Sequence, residues 1–305
     1  MDIIAIGEPL LEFSTVGHET LERAGQFSTG FGGDTSNFLV AAARSGARTG
    51  YLTRIGADPF GEAFLRLWQA EGIDTRHVVR AAGERTGVYF ISRHPASSVF
   101  TYYRADSAAS RLAPSDVPEA AVAAARALHV SGITQAISLT ACDAAFHAMT
   151  VARAAGTLVS YDPNYRPQLW PLERARAVVT RSVELADVAF PNIEEGRLLT
   201  GAQDARAVVD WFAARGPSTV VLKLGADGAL LWHEGTLTEV KPHPVVPIDS
   251  TGAGDAFDGA FMANLVSGAT PAEAAHYAAV AGALTTQGHG AVGPVPTRAT
   301  ILAAG

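Results

Sequence analysis

Short apolar runs rich in β-branched residues alternate along this chain with alanine-rich segments of helical period. This pattern predicts parallel strands joined by crossover helices, with helices covering both faces of one sheet. The predicted strands span residues 2–7, 51–56, 128–132, 157–162, 188–192 and 219–224. The predicted helices span residues 37–45, 58–72, 143–155, 172–185 and 205–215. The sequence therefore predicts an α/β fold.

Two stretches break this alternation. Residues 87–93 and 98–104 have strand character and are joined by the sequence His-Pro-Ala-Ser at 94–97, which predicts a hairpin. Residues 10–30 are extended and poor in helix signals. An antiparallel piece inside a parallel α/β chain commonly projects from the main sheet, so we expect a small β lid from the discontinuous segments 10–30 and 85–105.

The 305 residues suit one domain, since surface scaling predicts that about three quarters of the surface of such a chain is buried on folding. No repeat, linker or low-complexity tract divides the sequence. A second hairpin is predicted over residues 219–233, with its turn at 226–228 and another strand at 236–241. We therefore expect a single domain over residues 1–305.

Charge and cysteine content limit the partners. The net charge is −7, and only two of the 23 basic residues are lysines, Lys223 and Lys241. Without a basic run, binding to nucleic acid or to an anionic membrane is not expected. The single cysteine, Cys142, cannot form an internal disulfide and lies in a helical pattern that indicates packing. With no signal peptide or membrane span predicted, we expect a soluble cytoplasmic protein.

The most informative segment is residues 249–257, Asp-Ser-Thr-Gly-Ala-Gly-Asp-Ala-Phe, which opens a helical pattern running to about Ser267. Amides at such a helix start bind anions, and the glycines let a ligand approach the backbone. Asp255 falls in the first turn, where a carboxylate can accept a proton from a hydroxyl. The alternative is an ordinary helix start with an acidic first turn.

Other catalytic motifs are missing from the sequence. No Gly-Lys-Ser/Thr occurs, and the first strand is followed by a single glycine, Gly7, so neither a P-loop nor a dinucleotide fingerprint is present. The nine histidines show no metal-binding spacing, and Ser131-Gly132 is not a nucleophile elbow. An NAD-linked oxidoreductase or a serine hydrolase is therefore not expected.

Together, three motifs resemble those of the ribokinase-like (PfkB) family of carbohydrate kinases. They are residues 32–37 (Gly-Gly-Asp-Thr-Ser-Asn), residues 192–195 (Asn-Ile-Glu-Glu) and residues 249–257. They follow one another along the chain in the order typical of the family. The resemblance implies a three-layer sandwich around a mainly parallel sheet, with a small β lid. It narrows towards 2-keto-3-deoxygluconate kinases through Tyr-Tyr-Arg at 102–104, Ser-Gly-Ile at 131–133 and Asp-Pro-Asn-Tyr-Arg at 162–166.

The resemblance also implies transfer of the ATP γ-phosphate to a primary hydroxyl. Asp255 would be the general base, and the amides of Gly252, Ala253 and Gly254 would stabilise the transferring group. Mg²⁺ would be held largely through water by Asn192 and Glu195. The alternative for the acidic pair at 194–195 is a solvated helix start. Dependence on a monovalent cation stays open.

On the nucleotide side, residues 223–228 follow an apolar strand and resemble the family's nucleotide-binding turn. The glycines of this turn, Gly225 and Gly228, would let the backbone approach the nucleotide, and Lys223 would face the phosphates. The alternative is a surface lysine at a hairpin.

On the acceptor side, strand alternation places Tyr102 and Arg104 on one face of their strand and Tyr103 on the other. Arginine suits a planar carboxylate, so Arg104 and Arg166 are the candidates for a sugar-acid clamp. The resemblance implies Gly33 and Asn37 as contacts of the polyol, with Asp34 as an addition, and Tyr89 is a candidate on the opposing strand of the predicted hairpin. A solvated lid face would explain the Tyr and Arg residues without a ligand.

We therefore expect an ATP-dependent kinase that phosphorylates the 6-hydroxyl of 2-keto-3-deoxygluconate. The alternatives are the same chemistry on the galacto epimer or on fructose or ribose, or an inactive sugar-sensing protein on the same fold. An acidic residue that some kinases of this branch use for substrate has no counterpart in residues 285–294. A homodimer formed through the lid is expected from the resemblance.

Overall fold

The computed structural model describes residues 1–17, 19–92 and 98–305. Within these residues, thirteen strands form a nine-stranded sheet and a four-stranded sheet. The strands are β1 (Ile3–Ile6), β2 (Leu10–Thr15), β3 (Phe27–Gly32), β4 (Thr49–Gly56), β5 (Val78–Ala81), β6 (Gly87–Ser92), β7 (Val99–Tyr103), β8 (Ala127–Ser131), β9 (Leu158–Asp162), β10 (Val188–Ala189), β11 (Thr219–Lys223), β12 (Ala229–His233) and β13 (Thr236–Val240). The predicted turn at 94–97 and Arg93 lie outside the described residues.

The large sheet has the strand order β13-β12-β11-β10-β9-β8-β1-β4-β5. The pairs from β5 to β11 are parallel, and only the β11–β12 and β12–β13 pairs at one end are antiparallel. Both the mainly parallel sheet and the hairpin predicted over 219–233 are confirmed.

Helices cover both faces of the large sheet. They are α1 (Asp34–Arg44), α2 (Pro59–Ala70), α3 (Glu119–Ala123), α4 (Gly132–Ala136), α5 (Leu139–Ala155), α6 (Leu172–Leu185), α7 (Ile193–Thr200), α8 (Ala205–Ala213), α9 (Ala253–Ser267), α10 (Pro271–Thr285) and α11 (Arg298–Ala304). In β1, Ile3 contributes to the core under α1, α2, α9 and α10, whereas Ile4 contributes to the core under α5, α6 and α8. Alternating side chains thus fill two apolar layers, as expected for a three-layer α/β sandwich.

Local signals set the helix ends. Asp58 caps α2 by accepting a hydrogen bond from the Gly61 amide at 2.8 Å, and Pro59 occupies the first helical position. Helix α5 begins four residues before the predicted start because the Ser138 hydroxyl caps it. The strand predicted at 188–192 shrinks to two residues, because Pro191 lacks an amide proton and Asn192 already caps α7.

The four-stranded small sheet has the order β3-β2-β6-β7 and is antiparallel except for the β2–β6 pair. It is built from the two segments that were predicted to form the lid. One face carries Tyr89 and Tyr102, whose rings stack with centroids 5.7 Å apart. The other face carries Phe13 and Phe90, which stack at 5.2 Å.

The carboxyl ends of β8, β9 and β11 meet at one edge of the large sheet, beside the first turns of α1 and α9. These two helices pack closely because Gly259 has no side chain: a Cβ there would lie 2.3 Å from the Phe38 carbonyl oxygen. This approach brings residues 34–37 and 252–255 together. No helix in the described part of the chain is long and apolar enough to cross a bilayer.

Candidate active site

Two clefts meet at the first turn of α9. Asp255 lines one cleft, and its neighbour Gly254 lines the other. The first cleft, here called the acceptor cleft, is lined by Leu10, Gly33, Asp34, Asn37, Tyr89, Phe100, Tyr102, Arg104, Ile133, Arg166, Gln168, Leu169 and Asp255. The second, here called the nucleotide cleft, is lined by Lys223, Gly225, Ala226, Gly228, Pro242, His243, Pro244, Val245, Pro247, Ser250, Ala253, Gly254, Phe257, Ala279, Gly282, Ala283 and Thr286.

The glycine loop before α9 has a conformation that requires glycine. Gly252 has a φ of +76°, and a Cβ there would lie 2.8 Å from both Cα and Cβ of Ala291. Asp249 fastens the loop, because its Oδ1 accepts hydrogen bonds from the amide and hydroxyl of Thr251 and its Oδ2 accepts one from the Gly290 amide. Residues 290–291 of the C-terminal segment therefore pack against the loop and hold its conformation.

The amides at this helix start are not all available to a ligand. The Ala253 amide, predicted to bind the transferring phosphoryl group, instead donates to the Ser250 carbonyl oxygen at 3.2 Å. Within the described residues, the amides of Gly252, Gly254 and Asp255 donate to no protein acceptor. These three free donors lie at the positive end of a 15-residue helix, an arrangement that favours the binding of an anion.

Asp255 is half-buried in the wall of the acceptor cleft. Its Oδ2 accepts a hydrogen bond from Asn37 Nδ2 at 2.8 Å, whereas Asn37 Oδ1 is buried with no partner among the described residues. Burial and the nearby negative charge of Asp34 raise the pKa of Asp255 to about 7. Asp255 can thus take up and release a proton near neutral pH, and Asn37 offers a free acceptor for a ligand hydroxyl.

The two arginines of the predicted clamp differ in their surroundings. Arg104 forms an ion pair with Glu8, a fully buried side chain that also accepts a hydrogen bond from Ser107 at 2.9 Å. Arg166 donates to the carbonyl oxygen of Tyr165 at 3.2 Å and has no ion pair among the described residues. Arg166 is therefore the cation with free charge in the acceptor cleft, while the charge of Arg104 is balanced by Glu8.

The other predicted acceptor contacts line the same cleft. Tyr89 donates its hydroxyl hydrogen to Glu12, and its ring stacks on Tyr102. The Asp34 carboxylate accepts hydrogen bonds from Ser131 and from Asn164, the latter at 3.0 Å, which fixes it at the start of α1. Gly33 precedes it as the N-cap residue. Tyr103 is exposed on the opposite face from Tyr102, as strand alternation predicts.

Lys223 is largely buried rather than on the surface. Its Nζ lies 3.0 Å from Asp162 Oδ2 and 3.0–3.1 Å from both carboxylate oxygens of Asp258. Burial opposes the charged form of this lysine, but the carboxylates outweigh that cost and raise its pKa. The alternative of a surface lysine is therefore wrong. Lys223 lines the nucleotide cleft, and its ammonium is paired with Asp162 and Asp258.

The turn after Lys223 lines the nucleotide cleft through both of the predicted glycines. Gly228 has a φ of +87°, and a Cβ there would lie 2.1 Å from the Val240 carbonyl oxygen. Only glycine fits this position, because any side chain would separate β12 from β13. Gly225 also has a positive φ, but it has open space around it.

Asn192 and Glu195 form a capping box at the start of α7. Asn192 Oδ1 accepts from the Glu195 amide, and Glu195 accepts from the Asn192 and Tyr165 amides. Glu195 is only 4% exposed, so a solvated helix start holds for Glu194 and is wrong for Glu195. Burial and the charge of Asp162 raise the pKa of Glu195 to about 7.

These contacts limit how a metal ion could be held. Both Glu195 oxygens and the Asn192 oxygen already accept backbone hydrogen bonds, and the described residues contain no group of three His, Cys, Asp or Glu side chains that could hold an ion. The oxygens of Asn192 and Glu195 therefore suit a magnesium ion that is bound by phosphates and contacts the protein through water molecules. They do not fit a cage of protein ligands.

Sequence reasoning assigned no role to several residues of the site. Glu8 balances Arg104, Phe100 and Gln168 line the acceptor cleft, and Asp258 binds Lys223. Asp258 did leave a signal, because it and Asp255 are the only charged residues in the apolar helix α9. Residues 243–247, which line the nucleotide cleft, show no motif in the sequence.

The sequence profile described as "pfkB family carbohydrate kinase" matches residues 2–298. The chain is 35% identical to a 2-dehydro-3-deoxygluconokinase of Bacillus subtilis (strain 168) over 98% of this chain and 93% of that protein. It is also 35% identical to a 2-dehydro-3-deoxygluconokinase of Thermoproteus tenax, over 93% and 88%. It is 30% identical to fructokinase-1 of Oryza sativa subsp. japonica, over 98% and 96%.

Solved structures show the same fold. A PfkB protein from Polaromonas sp. JS666 superposes with a TM-score of 0.92 at 36% identity, covering 99% of each chain. A protein from Escherichia coli in complex with ATP and Mg²⁺ gives a TM-score of 0.92 at 26% identity, covering 99% and 98%. Fructokinase from Vibrio cholerae O395, bound to fructose, ADP and calcium, gives 0.89 at 30% identity, covering 100% and 99%.

Proposed function

This chain belongs to the pfkB family of carbohydrate kinases, and from that premise we propose that it phosphorylates the 6-hydroxyl of 2-keto-3-deoxygluconate with ATP. The observation that carries the proposal is the meeting of two clefts at one helix start, where Gly254 lines one and Asp255 lines the other. A phosphoryl group passing between two bound substrates would cross the free amides at this point. An inactive sensing protein would have no need for an ionisable carboxylate at the same place.

In this mechanism Asp255 accepts the proton of the acceptor hydroxyl as that oxygen attacks the γ-phosphorus. Asn37 holds one carboxylate oxygen, which leaves the other to face the hydroxyl. The amides of Gly252, Gly254 and Asp255 stabilise the charge on the phosphoryl oxygens as the bond to ADP breaks. Catalysis then depends on positioning and on fixed dipoles that exist before the substrates bind.

Magnesium, when bound with the nucleotide, would neutralise phosphate charge. Glu195 and Asn192 would contact its water shell, since their oxygens are already engaged with backbone amides. Lys223, Gly225 and Gly228 would border the nucleotide from the opposite side of the cleft. The structure of V. cholerae fructokinase with fructose, ADP and calcium supports the binding of a nucleotide and a divalent ion by this chain.

The choice of a sugar acid rests on the arginines. Arg166 has no ion pair among the described residues, so its guanidinium is available to bind the substrate carboxylate through two parallel hydrogen bonds. Arg104 lies in the same cleft but shares its charge with Glu8. Tyr89, Tyr102, Gly33 and Asp34 would surround the polyol chain. A neutral sugar would leave the Arg166 charge unmatched.

Arginine-to-lysine variants test the clamp. Lysine keeps the positive charge but cannot bind both carboxylate oxygens in one plane. We expect Arg166→Lys to raise KM for the keto-acid by about 10- to 100-fold and to change KM for fructose by less than threefold. We expect a smaller increase, about 5- to 20-fold, for Arg104→Lys, because Glu8 already balances its charge. Equal effects on acid and neutral acceptors would contradict the clamp.

Phosphorus-coupled NMR of the product identifies the hydroxyl that is phosphorylated. The proposal requires coupling to the C6 protons only. The rice fructokinase relative supports fructose as a second candidate acceptor. The galacto epimer of the keto-acid, which differs in one stereocentre, is a third candidate. We further propose that the protein works in the cytoplasm as a homodimer paired through the small sheet.

A further inference from the structure

A lysine and two aspartates form a buried cluster between the two clefts. Lys223 ends β11, Asp162 ends β9, and Asp258 lies one turn after Asp255 in α9. The Lys223 ammonium is within 3.1 Å of one oxygen of Asp162 and of both oxygens of Asp258. The lysine side chain is 14% exposed, and the two aspartates are almost fully buried. Sequence reasoning had placed Lys223 alone near the phosphates.

The position of the ammonium relates it to the transferred group. A Cβ built on Gly254 would lie 3.6 Å from Lys223 Nζ, so the cation lies close to the first turn of α9 and its free amides. Lys223 also lines the nucleotide cleft. A cation whose position is fixed at this point would stabilise the negative charge of a phosphoryl group that passes the first turn of α9.

The partners explain why the cation stays there. An unpaired lysine in such a buried place would lose its proton or turn towards solvent, because burial of a lone charge is costly. Asp258 binds the ammonium with both oxygens and Asp162 binds it with one. Burial raises the pKa of Asp258, and the Lys223 ammonium opposes that rise. The contacts with the two carboxylates therefore keep the ammonium charged and fixed in direction.

We propose that Asp258 is a positioning residue for phosphoryl transfer, which acts by holding the Lys223 ammonium close to Gly254 at the junction of the two clefts. Lys223 is the group that meets the phosphate, and Asp258 acts only through it. Asp162 completes the site from the neighbouring strand end. The inference rests on the proposed kinase function. It adds that Asp258, a residue outside both clefts, affects the rate of the chemical step through Lys223.

A double-mutant cycle on kcat tests this dependence. The single variants are Lys223→Met, which removes the cation, and Asp258→Asn, which keeps the size and one hydrogen-bond acceptor. We expect kcat losses of about 100-fold and about 10-fold, with KM for the sugar acceptor within about threefold of wild type. Because Asp258 acts through Lys223, the double variant should match Lys223→Met alone.

The control is Asp116→Asn, which removes one of the two carboxylates paired with Arg54, at 3.1 Å in a partly buried place outside both clefts. Its kcat should stay within twofold of wild type, while its Tm falls by a few degrees. If Asp258→Asn lowers Tm like this control but leaves kcat unchanged, Asp258 has only a structural role. If the losses of the two single variants multiply in the double variant, Asp258 does not act through Lys223. Either result overturns the proposal.

A second variant covers the case in which Asp258→Asn does not fold. Asp258→Glu keeps a carboxylate for the Lys223 ammonium, and we expect kcat within about fivefold of wild type. A loss as large as that of Lys223→Met would overturn the proposal. The assay uses whichever acceptor the wild-type protein phosphorylates, so an error in the assigned sugar leaves this test intact. A wild-type protein inactive on every acceptor would refute the kinase function itself.

Discussion

Asp255 combines two properties at the residue scale, a place in the acceptor cleft next to Gly254 of the nucleotide cleft and a pKa near neutrality. Its pKa is raised to about 7 by burial and by Asp34, so the carboxylate is ionised only as the pH rises through that value. General-base catalysis needs the ionised form. The residue's environment, rather than its identity alone, therefore sets the pH at which the reaction runs.

The pH dependence of the rate tests this assignment. With ATP and magnesium saturating, kcat/KM for the acceptor should rise about tenfold per pH unit below 7 and level off above about pH 7.5. Asp255→Asn should lower kcat by about 10²- to 10⁴-fold with an unchanged circular dichroism spectrum. A rate that is independent of pH between 5 and 8 would contradict the role of Asp255.

The same carboxylate should weaken the fold at high pH. Its pKa is higher in the folded state than the reference value of 3.8, so the folded protein binds more protons than the unfolded chain between about pH 4 and 7. The free energy of unfolding then falls as the pH rises through this window. Asp255→Asn removes this cost, and its stability advantage should be larger at pH 8 than at pH 5 by about 1–3 kcal/mol.

Urea unfolding of both proteins at the two pH values measures this difference. A stability advantage of Asp255→Asn that is larger at pH 5 than at pH 8 would contradict a raised pKa of Asp255 in the folded protein.

Site residues differ in how far sequence could reveal them. Asp255 and Asn37 lie in compact motifs, so their chemistry is readable from neighbours in the chain. The Glu8–Arg104 ion pair joins residues 96 positions apart, and Lys223 meets Asp162 across 61 positions. A pattern of neighbouring residues in the sequence does not predict ion pairs between positions so far apart in the chain. They were visible only after the fold had brought the strand ends together.

At the scale of elements, the glycine loop and α9 act as one unit. The loop turns at Gly252, and the segment at 290–291 packs behind it. This packing aims the free amides at the junction of the clefts. The element was predictable because its signal is local, with small residues followed by a helical pattern that ends at Ser267.

Two glycine-to-alanine variants separate backbone strain from the loss of the site. Gly252 and Gly156 both have a φ of +76°, but only Gly252 has a neighbour that a methyl group would strike. Each substitution should cost about 1–2 kcal/mol of stability through the strained φ. Gly252→Ala should also lower kcat by at least about 100-fold, while Gly156→Ala stays within twofold. Equal activities in the two variants would show that the loop geometry is not needed.

At the scale of the whole molecule, the small sheet has an exposed apolar edge. Val99 and Tyr103 on the edge strand β7 are 58% and 66% exposed. Exposed apolar side chains on an edge strand are typical of surfaces that pair with another chain. This exposure supports the proposal of a homodimer through the small sheet.

Sedimentation velocity tests the dimer. The wild-type protein should sediment as a dimer at micromolar concentration, and the double variant Val99→Glu/Tyr103→Glu should sediment as a monomer. Leu139→Glu is the control, because Leu139 is an equally exposed apolar residue outside the small sheet. A monomeric wild type, or a control that dissociates as well, would contradict pairing through this sheet.

The architecture was more predictable than the contacts within it. Continuous apolar runs separated by helical segments leave few arrangements besides a covered parallel sheet, and the hairpin signals correctly placed the antiparallel strands. Boundaries were less accurate where a cap or a proline decided them, as at Ser138 and Pro191. The distribution of charge between Arg104 and Arg166 depended on a buried partner that composition does not reveal.

The central claim is tested most directly by measuring kcat/KM from ADP release with ATP and magnesium across a panel of acceptors. The panel contains 2-keto-3-deoxygluconate, its galacto epimer, fructose, ribose and adenosine, with Asp255→Asn as the blank. The account predicts that 2-keto-3-deoxygluconate exceeds the neutral acceptors by about 100-fold, the contribution of a bidentate carboxylate contact. A neutral sugar that equals or exceeds the keto-acid would contradict the assigned substrate, and ADP release that persists in Asp255→Asn would contradict the assigned base.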